Sequence, residues 1–173
     1  MVEGGSGFLE TSQCVACAPP LYRAPMSSSP VEKSPVQLFD LLVELLLSKD
    51  VPEKLVASRL KPFVRASRPE PDRLGRKFLI TQGPGFQLTA TFEKPTFDLY
   101  QVTARLTPAA YAQIKAHAQA LASVPKTGAA WKNSWLGLWP QWKVSRGDAP
   151  RQAVTARFMG VLPGQKFIVF TRS

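Results

Sequence analysis

Every tryptophan of the chain lies in Trp131-Lys132-Asn133-Ser134-Trp135-Leu136-Gly137-Leu138-Trp139-Pro140-Gln141-Trp142. Indoles offer flat faces on which nucleic-acid bases stack, and cations beside them suit the phosphates between bases. Lys132 lies inside this stretch, and Lys143, Arg146 and Arg151 follow it. The charge distribution agrees. Residues 101–173 hold ten Lys/Arg against one acid, Asp148, so nearly all of the formal charge of +10 belongs to the C-terminal part. A polyanionic partner is the natural complement.

Three uses of the tryptophans compete. Trp131, Trp135 and Trp142 could share a helical face with Leu138 and complete a core, because an indole buries a large area. Trp131, Trp135, Trp139 and Trp142 could instead form a stacking platform flanked by phosphate-holding cations. The segment could also lodge at a lipid headgroup boundary or serve as a protein hot spot. Gly137 and Pro140 keep any helix here short, so the segment reads as a long irregular connection.

Other chemistry finds little support. Cys14 and Cys17 form a lone CxxC with no second pair, and the only histidine, His117, is far along the chain. Ala18-Pro19-Pro20 follows the pair, where a redox motif would open a helix. His117 has no nucleophile or acid near it in sequence and reads as a partly buried structural histidine. Glu93 and Asp98 could pair as carboxylates, but Asp98 is expected to meet a cation such as Arg105 or Lys94. No phosphate-binding glycine loop, nucleophile elbow or HExxH occurs. The sequence therefore predicts a protein that is not an enzyme and needs no cofactor or metal.

The elements that must position these residues follow from spacing. Residues 1–34, rich in Gly, Ser and Pro, read as a disordered leader. Ser34-Pro35-Val36-Gln37 has the form of a capping box and opens a helix to about Ser48. Its polar residues Gln37, Asp40, Glu44 and Ser48 form one stripe on an otherwise apolar helix, which suggests burial or a homodimer through 35–48. Asp50-Val51-Pro52-Glu53 starts a second helix with Lys54, Ser58, Lys61 and Arg65 on one face, giving a helical hairpin over 35–66. A DNA-reading helix-turn-helix is the less common form of such a pair. Ser67 to Arg76, with Pro69, Pro71 and Gly75, reads as a linker.

Alternating strands follow at 77–82, 86–93 and 97–106. Thr107-Pro108 opens a third helix with Tyr111, Ile114, Ala118 and Leu121 as its seam. Arg151–Leu162 and Lys166–Arg172 form a terminal hairpin about Pro163-Gly164, with Leu162 opposite Gln165. That register places Ala156, Phe158, Leu162, Phe167 and Val169 on a core face. Arg157, Lys166 and Arg172 then share the other face with Met159, Val161, Ile168 and Phe170. No internal repeat is apparent in the residues.

The expected fold is α+β, a single domain over 35–173. Two N-terminal helices precede a mainly antiparallel sheet of about five strands, with one further helix packed on it (sheet plus helix over 77–173). No apolar run reaches the roughly 18 residues of a bilayer span, and no secretory signal is apparent, so a cytoplasmic location is expected. The partner expected is nucleic acid, single-stranded DNA or RNA rather than duplex, held by Trp131, Lys132, Trp135, Trp139, Trp142, Lys143, Arg146, Arg151, Arg157, Lys166 and Arg172. The alternative is a regulatory or inhibitory protein that docks on an acidic protein or an anionic membrane surface through the same patch.

Overall fold

The start of the first described helix is set by reciprocal capping. The Gln37 backbone N–H donates to Ser34 Oγ at 3.3 Å, and the Ser34 N–H donates to Gln37 Oε1 at 3.2 Å. Two end donors of the helix are thereby satisfied, and Pro35 supplies a preset φ. The computed structural model describes residues 33–73, 75–133, 139–146, 149–162 and 164–173. The expected leader, with Cys14 and Cys17, lies outside the described residues up to residue 32.

Helix α1 (Pro35–Leu47) buries Leu38, Phe39, Leu41, Leu42, Leu45 and Leu46. Those side chains pack inside this chain, so a second copy is not needed to cover them. Helix α2 (Glu53–Leu60) turns Val56 and Leu60 into the same core and leaves Lys54 and Ser58 exposed. It ends before Lys61, because Pro62 cannot extend the helix. Arg59 and Glu44 join the two helices at 2.6 Å, an exposed ion pair that contributes about 0–1 kcal/mol.

Eight strands follow in one sheet, not about five. They are β1 (Ala66–Arg73), β2 (Arg76–Gly83), β3 (Phe86–Glu93), β4 (Asp98–Leu106), β5 (Ala129–Lys132), β6 (Gln141–Arg146), β7 (Ala149–Leu162) and β8 (Gln165–Arg172), with α3 (Pro108–Ala122) between β4 and β5. The three additional strands are β1, β5 and β6. Residues 67–73 of the expected linker belong to β1, whose Pro69 and Pro71 are tolerated because an edge strand has one unpaired side. The expected irregular connection holds β5 and the start of β6, which pair Trp131 with Trp142 and Lys132 with Gln141.

The strand order is β1-β2-β3-β4-β8-β7-β6-β5, antiparallel throughout. Two four-stranded meanders therefore meet at β4–β8. Each meander is preceded by a helix opened by a hydroxyl cap and proline, Ser34-Pro35 in one half and Thr107-Pro108 in the other. The topology repeats although the residues do not.

Because side chains alternate between faces along a strand, the register sorts them. One lateral row runs Leu79, Ala90, Val102, Phe170, Ala156, Trp142, Trp131 from β2 to β5. The helices cover this row, with α1 against β4, β7 and β8, and α3 against β4, β5, β6 and β8. Phe39 sits over its centre, 5.1 Å from Trp142 and 5.6 Å from Phe170, ring centre to ring centre. The β2–β3 and β7–β8 turns each use a glycine at positive φ, Gly85 (74°) and Gly164 (81°), a conformation other residues resist.

The terminal hairpin corrects the expected faces. Leu162 does pair with Gln165, but the register shifts between Met159 and Leu162, so Phe158 pairs with Ile168 and Ala156 with Phe170. One extra residue in β7 turns every earlier side chain to the opposite face relative to β8. Ile168 and Phe170 are buried with Ala156 and Phe158, whereas Phe167 and Val169 are only half-buried. Among the described residues no helix is long and apolar enough to cross a membrane.

Replacing the ring that ties α1 to the sheet should be costly. Phe39→Ala is expected to lower unfolding free energy by about 3–5 kcal/mol, and Phe39→Leu, which keeps apolar bulk and loses the ring contacts, by less than that. Urea titration of the full chain measures both. A loss below about 1 kcal/mol for Phe39→Ala would show that this ring does not anchor the helix.

Candidate nucleic-acid interface

The tryptophans do not form one surface. Trp142 is 2% exposed and belongs to the core, and its Nε1–H has no hydrogen-bond partner among the described residues. An orphaned buried donor costs about 1–3 kcal/mol, so this indole serves as an apolar plate despite its polar atom. Trp131 is half-buried, packs 5.1 Å from Phe158 and donates from Nε1 to Asn133 Oδ1 at 2.9 Å. Trp139 is 48% exposed. Trp135 lies outside the described residues. Trp131 and Trp142 thus complete the core, and Trp139 is the exposed indole among the described residues.

The cations divide between the two faces. Lys132, Lys143 and Arg157 are exposed. They alternate with the core-facing Trp131, Trp142, Ala156 and Phe158 and so project from the face opposite the helices. Lys166 and Arg172 share the parity of buried Ile168 and Phe170 and stand at the rim of the covered face. Lys166 Nζ sits 5.7 Å from the centre of the Tyr111 ring on α3. Burial raises the Tyr111 phenol above its ordinary value. The expected grouping of Arg157 with Lys166 and Arg172 is therefore corrected by the bulge in β7. The side chains of Arg146 and Arg151 lie outside the described residues.

The face opposite the helices carries its own row from β1 to β5, namely Arg68, Ile80, Thr89, Thr103, Val169, Arg157, Gln141 and Lys132. A neighbouring row holds Lys143, Thr155, Thr171, Gln101, Thr91 and Phe78. On the other side Met159, Phe167, Arg105 and Gln87 align. Phe78, Ile80, Met159, Phe167 and Val169 are half-buried and stand outside the core cluster that the helices complete.

Arg105 and Phe167 were not singled out as site residues. Arg105 could have been found from parity, because Gln101, Thr103 and Arg105 alternate with the core residues Val102, Ala104 and Leu106. Phe167 could not, because its face depends on the bulge in the partner strand.

Charge separates the two halves of the sheet. Strands β5 to β8 contain no Asp or Glu. On β1 to β4 the carboxylates Glu70 and Glu93 pair with Arg68 at 3.4 Å and Arg76 at 3.2 Å. Among the described residues Arg105, Lys132, Lys143 and Arg157 are in no ion pair. An anion laid across these strands meets unpaired cations of the described residues, and no carboxylate belongs to the strands themselves.

The remaining polar groups are structural. His117 Nε2 donates to Asp40 Oδ1 at 2.8 Å and links α3 to α1, while its ring meets Phe39 edge-on at 5.7 Å. Asp98 Oδ2 accepts from the Thr96 hydroxyl at 2.7 Å, and Glu93 is held by Arg76. Among the described residues no three or more His, Cys, Asp or Glu gather in a way that could hold a metal ion.

No protein family and no curated protein matches this chain. A solved structure with some likeness is a cysteine-rich secretory protein from Staphylococcus aureus, at 11% identity and a TM-score of 0.32. The likeness covers 70% of this chain and 44% of that one, and at that score it carries no argument.

Exposure of the indoles gives a direct check. Trp139→Phe is expected to remove a large part of the acrylamide-quenchable fluorescence, and Trp142→Phe to leave that part unchanged. Equal loss of quenching in the two variants would contradict a buried Trp142.

Proposed function

We propose that this chain is a small non-enzymatic nucleic-acid-binding protein, with single-stranded DNA or RNA preferred. Its phosphate contacts are Lys132, Lys143 and Arg157, joined by Arg105, on the sheet face that the helices leave uncovered. The observation that carries this reading is the set of unpaired cations on a half-sheet whose strands contain no carboxylate. Cations roughly two strand spacings apart, about 10 Å, repel by about 0.4 kcal/mol per pair at water-like dielectric. A polyanion removes that cost and gains counterion-release entropy. Trp139 remains the indole suited to an added stacking contact.

Four phosphate contacts to a single strand imply a slope of log affinity against log salt of about −2.8. Affinity should then fall about 50-fold between 50 and 200 mM salt. Lys143→Glu combined with Arg157→Glu should weaken binding about tenfold or more at 50 mM salt and flatten the slope by about 1.4. Anisotropy of a labelled oligonucleotide measures both. A chain that binds no oligonucleotide at 50 mM salt but binds phosphatidylserine vesicles would replace this reading with a membrane-surface one.

A further inference from the structure

The open face holds two apolar patches, and they differ in one respect. Phe78 and Ile80 on β2 lie near Arg68, which is paired with Glu70. Met159, Phe167 and Val169 on β7 and β8 lie among cations, Arg105 and Arg157, that have no ion-pair partner among the described residues. Phe167 stands directly opposite Arg105 on β4 and Met159 on β7. Two residues along β8, Val169 stands opposite Thr103 and Arg157. Neighbouring side chains in such pairs are about 5 Å apart across the strands and about 7 Å apart along them. A ring and two apolar side chains are thus bracketed by a guanidinium on each side.

We infer that Phe167 is the base-stacking centre of this interface and that its ligand is an unpaired strand crossing β4, β8, β7 and β6. This rests on the nucleic-acid reading above and assigns where the bases and phosphates go. A base face lies on Phe167, with Met159 and Val169 extending the apolar floor. The backbone phosphates on either side reach Arg105 and Arg157, and the strand continues toward Lys143. Gln141, Thr103 and Thr155 offer hydrogen-bond groups to base edges from the same rows.

Duplex does not fit this surface. Reading a major groove takes a protruding helix or ribbon, and a half-buried ring level with a broad sheet cannot enter one. The bases of a duplex already stack on each other, so only an unpaired base presents a free face to Phe167. An acidic peptide would satisfy the guanidinium groups but would leave the ring without a planar partner. The leader of this chain and a second copy are the other occupants that the test must separate.

The test uses the full chain and a labelled oligothymidylate at 50 mM and 200 mM salt. Phe167→Leu keeps an apolar side chain and removes the ring. It is expected to weaken binding about 5- to 150-fold with the salt slope unchanged, since loss of one stacked base is electrically neutral. Phe167→Tyr should bind like wild type, and Phe78→Leu, on the paired patch, should change nothing. Circular dichroism melts confirm that each variant is folded. If Phe167→Leu binds as tightly as wild type while Lys143→Glu with Arg157→Glu does not, the stacking assignment falls and the nucleic-acid reading stands. Equal affinity for a duplex of the same length also overturns the stacking assignment. If the charge variant binds like wild type, or wild type binds no oligonucleotide, the nucleic-acid reading itself falls. Oligothymidylate affinity that rises when residues 1–32 are deleted, with Phe167→Leu then weakening it, supports the inference. Protein dimerisation abolished by Phe167→Leu, without any effect on oligonucleotide affinity, overturns it in favour of a second copy.

Discussion

The pairing of β4 with β8 joins an N-terminal meander to a C-terminal one, and Phe39 holds that seam from above. Its ring contacts Phe170 on β8, Trp142 on β6 and His117 on α3, so one side chain of α1 meets three elements of the other half. Aromatic pairs of this geometry contribute about 0.5–1.5 kcal/mol each beyond area burial. The Asp40–His117 hydrogen bond, one residue along α1, fixes the same helix to α3 from the polar side. Neither meander has a helix layer that is wholly its own. α1 covers strands of both halves, and α3 does the same. The sheet itself is continuous because β4 pairs with β8 from Gln101–Thr171 to Leu106–Lys166.

Continuity creates one covered face and one open face, and it decides which residues can meet a partner. The row from Leu79 to Trp131 is taken up by the core. The alternate row from Arg68 to Lys132 is mixed polar, apolar and cationic. An antiparallel sheet with one wet face ordinarily alternates apolar and polar residues. β3 obeys in residue type, with Leu88, Ala90 and Phe92 on the covered side and Gln87, Thr89, Thr91 and Glu93 on the other, although Thr91 is buried as well. β8 does not. Phe167 and Val169 on its open side are as apolar as Ile168 and Phe170 on its covered side. Large contiguous apolar patches at a protein surface are commonly interaction sites.

Much of this was legible in the chain. Ser34-Pro35 and Thr107-Pro108 mark two helix starts through backbone donors that need partners, and both helices begin there. The alternation in 86–93 and the Pro-Gly turns locate hairpins for steric reasons that are local. What failed was non-local. β1 reads as a linker because two prolines deny it a ladder on one side, and only its place at the sheet edge makes that harmless. Trp131 and Trp142 stay open between a core role and a stacking role in the sequence, because ring and charge are close together there. Their partners Phe39 and Phe158 are distant in sequence, and those contacts draw the indoles inward. The same alternation then sends Lys132 and Lys143 outward, so the rings and the cations of one segment part company.

The bulge between Met159 and Leu162 shows how narrowly the open face is determined. With an unbroken register from Leu162–Gln165, Phe158 would pair with Val169, and Ile168 and Phe170 would turn away from Phe39. The core would then hold Phe167 and Val169 in their place, with similar apolar area and a different shape under α1. Both arrangements bury two large side chains of β8, so hydrophobic burial alone does not choose between them. Packing does. The aromatic contacts of Phe39 need Phe170 at that position, and the extra residue in β7 supplies the half-period that brings it there. What the core rejects is thereby displayed on the other face, next to Arg105 and Arg157. The composition of the open surface is thus a consequence of how α1 packs, and a change in the bulge would alter the core and the candidate interface together.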